Sequence, residues 1–138
     1  MAGKRLAVGI FCVDWRLHQK SVNIVEKVRA HLRVDGVDVI AIPGPDGACV
    51  QAGREAEMKS LTDWLALLIG AHKPVTIAFV GHYQCARNVV DDKTHDKNVE
   101  ETMRWFKKET GFVGEMVAFS ATYQSDTRWG LKEVARIR

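Results

Sequence analysis

Two short motifs carry side chains that bind transition metals or take part in proton transfer. In the segment FCVDWRLHQ, the residues Cys12, Asp14 and Arg16 lie at alternate positions. In VGHYQCARN, the residues His82 and Cys85 form an H-x-x-C motif. Two cysteine sulfurs and one imidazole nitrogen are a common zinc ligand set, and three protein ligands leave a fourth tetrahedral position open for water, as in catalytic sites. The residue types therefore suggest metal-dependent chemistry if the two motifs meet in space.

The carboxylate and the guanidinium of the first motif add a proton acceptor and its charge partner. On an extended segment, residues 12, 14 and 16 point to the same side. Asp14 would then lie within reach of the fourth metal position, and Arg16 would clamp Asp14. A carboxylate paired in this way stays ionised and is able to accept a proton from bound water.

Alternating apolar runs and helical stripes predict the elements that position these motifs. Four runs rich in β-branched and aromatic residues are typical of strands: 6–11, 37–42, 75–80 and 115–120. Amphipathic stripes between them predict three helices: 19–34, 55–70 and 96–109. This order predicts an α/β fold, a three-layer sandwich around a mainly parallel sheet of four strands. The tail SATYQSDTRWGLKEVARI leaves two alternatives open, an additional edge strand or a short helix.

Both motifs lie where a predicted strand gives way to its following loop. Cys12 follows the first strand, whereas His82 and Cys85 follow the third. In open α/β sheets, ligands bind beyond the carboxyl ends of the strands, at the point where the winding reverses. If the first and third strands are neighbours there, the two cysteines and the histidine converge.

The bulk composition narrows the class of protein. With 138 residues, 46% hydrophobic and 27% charged, we expect one globular domain over 1–138. A net charge of +3 without a clustered basic face predicts no nucleic-acid partner. The first apolar run has no signal-peptide cleavage pattern, and no stretch approaches the length of a membrane span. Three cysteines do not form a tight secreted framework, so we expect a cytoplasmic protein with reduced thiols and no membrane association.

The paired motifs, C-x-D-x-R and then H-x-x-C, resemble those of the β-class carbonic anhydrases. The resemblance runs from Arg5 to about Val134. It includes the helical pattern EMKSLTDWLALLIGAH leading into VTIAFVGHYQC, and the closing segment YQSDTRWGLKEV. Two such motifs on the first and third strands of one α/β sheet are a specific combination.

The resemblance implies a zinc lyase of the carbonate dehydratase type. It implies that Cys12, His82 and Cys85 bind Zn²⁺, and that Asp14 with Arg16 gates the fourth position. The implied reaction is the reversible hydration of carbon dioxide to bicarbonate by a metal-bound hydroxide. The resemblance also implies a homodimer or a higher homo-oligomer.

Some features depart from the family's usual pattern. The loop 43–53 reads PGPDGACVQAG where the family carries an arginine and an asparagine. Ala86 replaces the glycine that usually follows the second cysteine ligand, and eleven residues precede Cys12 where the family has a helical arm. A glutamine near the substrate has two candidates here, Gln19 and Gln51.

Other functions stay open on the residues alone. A hydrolase of a related linear molecule, carbonyl sulfide or carbon disulfide, would use the same ligands. A non-catalytic zinc-binding module would keep the metal and lose the pocket. A thiol-redox protein would use Cys12 and Cys85 as a disulfide pair.

The remaining polar and aromatic residues are expected to have ordinary roles. Cys49 is assigned none. We expect the other histidines to be solvated or at helix ends: His18, His31, His72 and His95. The loop 87–96 is expected to be solvated and to end in a helix cap at Thr94 or Asp96. Trp64 and Phe106 lie on apolar stripes and are expected in the core.

Overall fold

The structure, a computed structural model, describes residues 3–138. Within this range the chain forms a five-stranded sheet in the order β2-β1-β3-β4-β5. The strands are β1 (Leu6–Cys12), β2 (Gly36–Ile42), β3 (Thr76–His82), β4 (Glu115–Ser125) and β5 (Arg128–Ile137). β1 to β4 run parallel, and β5 lies antiparallel to β4. The predicted mainly parallel sheet is confirmed, and the tail forms the edge strand rather than the short helix.

Helices cover both faces of this sheet. In the described part of the chain they are α1 (Trp15–His18), α2 (Ile24–Leu32), α3 (Glu55–His72) and α4 (Asp92–Thr110), with a 3₁₀ turn at Pro45–Gly47. Apolar side chains of α2 pack against one face, and those of α3 and α4 pack against the other. The three layers are therefore confirmed. Across residues 3–138, no helix has the length and the apolar character needed to cross a membrane.

Two of the three predicted helices start at other residues than expected because capping residues set their starts, whereas α3 begins at Glu55 as predicted. Asn23 has a left-handed backbone with φ 42° and its side chain accepts a hydrogen bond from the Glu26 amide, so α2 begins at Ile24. The side chain of Asp91 accepts from the Thr94 amide at 2.7 Å, so α4 begins at Asp92. The expectation of a cap at Thr94 or Asp96 was therefore wrong, because both residues lie inside α4.

Two aromatic residues on predicted apolar stripes have different surroundings. Phe106 of α4 is fully buried and stacks on Phe79, with ring centroids 5.2 Å apart. Trp64 of α3 is 47% exposed, so its expected core position was wrong. The apolar stripe of α3 is wider than the face that packs on the sheet, where Leu61 and Leu65 are fully buried.

The order of the strands determines where the two motifs meet. β1 lies between β2 and β3 in the sheet. The chain therefore passes from β1 to β2 on one side of β1 and then crosses to β3 on its other side. Phe11 near the end of β1 pairs with Val80 near the end of β3. The carboxyl ends of these neighbouring strands are thus the point where the winding reverses, and Cys12 and His82 are their last residues.

Candidate metal centre

Three side chains of the two motifs meet at the carboxyl ends of β1 and β3. Cys12, His82 and Cys85 are all buried, and each offers a ligand atom within 4.8 Å of the others. Cys12 ends β1, His82 ends β3, and Cys85 lies in the turn that follows. The convergence expected from the order of the strands is present, and the role of the three residues as metal ligands stays a prediction.

The imidazole of His82 is oriented for coordination through one nitrogen. Its Nδ1 lies 2.9 Å from the carbonyl oxygen of Tyr83, which can only accept, so Nδ1 carries the hydrogen. Its Nε2 is buried and has no hydrogen-bond partner among residues 3–138. A buried polar nitrogen without a partner is costly. A cation at Nε2 would remove this cost, and the chemistry of two sulfurs and one nitrogen fits zinc.

The two sulfurs are linked to each other and to the backbone of the loop 43–53. A hydrogen bond between them lowers the pKa of the Cys12 thiol and raises that of Cys85. The backbone amide of Gly44 also donates to Cys12 Sγ at 3.4 Å. Cys12 is therefore the more acidic thiol, and a divalent cation bound by both sulfurs would displace their protons.

Asp14 and Arg16 form a bidentate ion pair beside these candidate ligands. The Arg16 Nε and Nη2 atoms donate to the Asp14 carboxylate at 3.1 and 2.8 Å. The Asp14 carboxylate also accepts from the Arg16 amide at 2.9 Å and so caps α1. The expected extended geometry was wrong here, because residues 15–18 are helical. The hydrogen bonds from Arg16 hold the pKa of Asp14 below its usual value, and Asp14 Oδ2 lies 3.8 Å from His82 Nε2.

Aromatic rings from the C-terminal hairpin support the ion pair. The Arg16 guanidinium lies 5.1 Å from the ring centroid of Trp129 and 5.9 Å from that of Tyr123. Trp129 also packs edge-on against His82, with centroids 5.6 Å apart. This single buried tryptophan therefore contacts both a candidate ligand and the partner of Asp14. Sequence reasoning missed Trp129, because its place beside His82 depends on the pairing of β5.

The space next to the three candidate ligands is small. A cavity of about 160 Å³ is lined by Cys12, Val13, Asp14, Pro43, Gly44, His82, Cys85, Ala86 and Arg87. The two glutamine candidates form hydrogen bonds elsewhere. Gln19 donates to the Arg16 carbonyl at 2.9 Å and also to that of Asp126, and Gln51 donates to the Arg87 carbonyl at 2.7 Å. The cavity has room for a few molecules the size of water.

A larger cavity lies apart from this site. It measures about 480 Å³, lies between α3 and α4, and includes Cys49 in its wall. The Thr102 hydroxyl donates to Cys49 Sγ at 3.1 Å, and burial raises the pKa of this thiol. Cys49 is thus a weak nucleophile at neutral pH.

A buried polar network beside the turn that carries Cys85 was missed by sequence reasoning. Asp46 and His95 are 1% and 2% exposed, so the expectation that His95 is solvated was wrong. Asp46 Oδ2 accepts from Asn88 Nδ2 at 2.7 Å and lies 3.1 Å from His95 Nε2. A Cβ on Gly81 would lie 2.6 Å from Asp46 Cβ, so this strand position must be glycine for the network to fit. The backbone amide of Asn88 donates to the Cys85 carbonyl at 3.2 Å, which connects the network to the turn that carries the candidate ligand Cys85.

The network continues from the interior to the surface. His95 Nδ1 lies 3.2 Å from Ser120 Oγ, and this hydroxyl donates to Asp96 Oδ1 at 2.6 Å. Asp96 then pairs with the exposed Lys132 at 2.6 Å and accepts from the Tyr83 hydroxyl at 3.1 Å. Residues from α4, β4, β5 and the turn that carries Cys85 are therefore joined by one set of hydrogen bonds.

Comparisons with known proteins agree with this architecture. Residues 2–125 match a family model described as "Putative carbonic anhydrase". A search of curated proteins finds no match.

Among solved structures, the chain is similar to a crystal structure of β-carbonic anhydrase isoform I from the protozoan Trichomonas vaginalis. The TM-score is 0.59 at 12% sequence identity, over 92% of this chain and 81% of that chain. At this identity the likeness concerns the fold alone. The resemblance drawn from the two motifs is confirmed, and because the family model covers most of the sequence, the chain belongs to the family that it describes, the "Putative carbonic anhydrase" family.

Proposed function

We propose that this protein is a zinc lyase that catalyses the reversible hydration of carbon dioxide to bicarbonate. The observation that carries this proposal is the meeting of Cys12, His82 and Cys85, with ligand atoms within 4.8 Å of one another. The buried and otherwise unpartnered Nε2 of His82 adds to it. Membership of the family is independent support.

In this proposal Cys12, His82 and Cys85 hold zinc, which supplies the Lewis acid that makes water a nucleophile near neutral pH. The Tyr83 carbonyl keeps the ring of His82 in the orientation that offers Nε2. The Gly44 amide stabilises negative charge on the Cys12 sulfur. These contacts orient the ligands before any cation binds.

Asp14 is proposed as the proton acceptor and gate of the site. It is only partly exposed and stays ionised near neutral pH because Arg16 binds both of its oxygens. Its Oδ2 lies 3.8 Å from His82 Nε2, so the carboxylate lies beside the atom that would bind zinc and would be available to accept a proton there. The hydrogen bonds from Arg16 would also keep the carboxylate from binding the cation itself.

The cavity suits a small apolar substrate. Its volume is about 160 Å³, and Val13, Pro43 and Ala86 contribute apolar atoms to its wall. A linear triatomic molecule fits this space, whereas a drug-sized ligand requires roughly 300 Å³ or more. The size therefore supports carbon dioxide or a close analogue as substrate.

Stopped-flow carbon dioxide hydration with zinc-loaded protein tests the proposal. We expect a rate well above the buffer, and an Asp14→Asn variant that keeps its zinc but loses about 10²–10⁴-fold in rate. Asp63→Asn, an exposed carboxylate on α3, is the matched control and should retain the rate. Zinc bound at about one per chain with no rate above buffer would support a non-catalytic zinc module instead. Faster hydrolysis of carbonyl sulfide than hydration of carbon dioxide would reassign the substrate.

A further inference from the structure

The largest fully buried side chain of the described residues belongs to an arginine that lies outside both motifs. Arg54 immediately precedes α3, and it is 1% exposed. A guanidinium is always charged and carries five N–H donors, so burial on this scale requires both a counter-charge and several acceptors. The identity of those acceptors indicates what the residue does.

Arg54 forms hydrogen bonds with the loop that follows β2. Its Nη1 donates to the Gly44 carbonyl at 2.8 Å, and its Nη2 donates to the Pro43 carbonyl at 2.6 Å. Its Nη1 also donates to the side-chain oxygen of Gln51 at 2.7 Å. Glu57 provides the counter-charge, accepting from Nη2 at 2.7 Å and from Nε at 3.1 Å.

The segment that Arg54 holds is one wall of the metal cavity. Gly44 has a left-handed backbone with φ 50°, and its amide donates to Cys12 Sγ at 3.4 Å. A Cβ on Gly44 would lie 2.7 Å from Arg87 Cβ and 3.3 Å from Cys85 Sγ. The backbone at this position therefore passes close to both sulfurs, and a small displacement changes the hydrogen bond to Cys12.

We propose that Arg54 is a positioning residue of the metal centre. It fixes the backbone of Pro43 and Gly44 so that the Gly44 amide points at the Cys12 sulfur. This inference rests on the proposed zinc site and extends it to a residue that touches no ligand itself. It also explains how the loop 43–53, which lacks the arginine and asparagine usual in the family, is held in place by an arginine at its far end.

Arg54→Lys tests the proposal, since one ammonium cannot reach both carbonyls and Gln51 in the geometry of the guanidinium fork. We expect zinc affinity, measured by competition with a chelator, to fall about 10–100-fold. We also expect a shift of the sulfur-to-metal charge-transfer band of the Co²⁺-loaded protein, because the hydrogen bond to Cys12 changes the electron density on sulfur. A merely structural role would lower stability and leave that band in place.

Two further variants make the test specific. Arg104→Lys makes the same change in an exposed ion pair of α4 and should alter neither quantity. Gly44→Ala disturbs the same hydrogen bond to Cys12 directly, at its donor residue. If Arg54 acts through Gly44, the effects of Gly44→Ala and Arg54→Lys on zinc affinity should not be additive. Additive effects would show that Arg54 does not act through Gly44, and would overturn the proposal.

The outcomes separate this inference from the proposed function. If the wild-type protein binds no zinc, both fall. If it binds zinc, and folded Arg54→Lys matches it in affinity and in the Co²⁺ band, only the positioning role falls. If Arg54→Lys does not fold, isotope-labelled wild-type protein loaded with spin-active cadmium gives the answer by NMR. A scalar coupling between the Gly44 amide proton and the metal nucleus that weakens in Glu57→Gln, which removes the counter-charge of Arg54, would support the proposal. No coupling in the wild type, or the same coupling in Glu57→Gln, would overturn it.

Discussion

At the scale of single residues, the candidate site separates two kinds of cysteine. Cys12 and Cys85 are buried next to each other and to His82, whereas Cys49 lies in the wall of the larger cavity. The hydrogen bond between the two neighbouring thiols lowers the pKa of one and raises that of the other, while burial raises the pKa of Cys49. Metal binding should therefore depend on the first two cysteines and be insensitive to the third.

Substitution of the cysteines tests this difference. We expect Cys85→Ser to lose its zinc during dialysis, because a serine hydroxyl is a poor replacement for a thiolate ligand. Cys49→Ser should keep the metal content of the wild type. Metal analysis of the dialysed proteins gives the answer, and equal zinc in all three would remove Cys85 from the ligand set.

The spacing of the motifs was enough to predict which residues meet, but not how. Cys12 and His82 come together because β1 and β3 are neighbours in the sheet, which the order of elements along the chain left open. The short helix α1, which lets the Asp14 carboxylate pair with Arg16, could not be predicted from the sequence. A helix of four residues is too short to show an apolar periodicity. Trp129 could not be found at all, since its contact with His82 depends on the pairing of β5.

At the scale of elements, a buried charged network connects the loop 43–53 to α4. Burial acts to raise the pKa of Asp46, but the nearby His95, whose Nε2 lies 3.1 Å from Asp46 Oδ2, and the hydrogen bond from Asn88 outweigh it and hold the pKa below its ordinary value. The folded state therefore favours the ionised carboxylate. The resulting stability is present above the unfolded pKa of about 4 and is lost as the pH falls through the folded pKa.

We therefore expect Asp46→Asn to destabilise the protein by about 3 kcal/mol near neutral pH, as for other buried pairs that lose one partner. The deficit relative to the wild type should shrink as the pH falls below about 4, where the wild-type carboxylate itself becomes protonated. Urea unfolding across this pH range measures both effects. Asp63→Asn, in an exposed pair with Lys59, should stay within about 0.5 kcal/mol of the wild type. A deficit that does not change with pH would contradict the role given to Asp46.

The surroundings of His95 also show why its expected exposure to solvent was wrong. His95 was expected in solvent because the segment 87–96 is dense in charge, with Asp91, Asp92 and Asp96 around it. In the structure Asp91 caps α4, so that the helix begins before His95. The first turns of α4 place the His95 ring against Gly81 of β3, where the absence of a Cβ leaves room for it. Charge density alone cannot tell a solvated loop from a helix start with one buried side.

At the scale of the whole molecule, β2 forms one edge of the sheet. Val39 on this edge is 50% exposed, and Trp64 and Leu67 on the neighbouring α3 are 47% and 67% exposed. An open strand edge beside apolar side chains favours association with another chain. The homo-oligomer implied by the resemblance stays a prediction, and this edge is where we expect its contact.

Sedimentation of the purified protein tests this expectation. We expect a mass that is a multiple of the 15.5 kDa chain, and a shift towards the single chain for Val39→Lys, since a lysine on an edge strand opposes pairing. Val113→Lys, at a residue 93% exposed in the loop before β4, is the control and should not change the mass. Wild-type protein that sediments as a single chain would contradict the prediction.

The most direct measurement is X-ray absorption at the zinc edge of the loaded protein. If Cys12, His82 and Cys85 hold the cation, the spectrum will show two sulfurs at about 2.3 Å, and one nitrogen and one oxygen at about 2.0–2.1 Å. A shell of oxygen and nitrogen alone, or one with four sulfurs, would contradict the site described here.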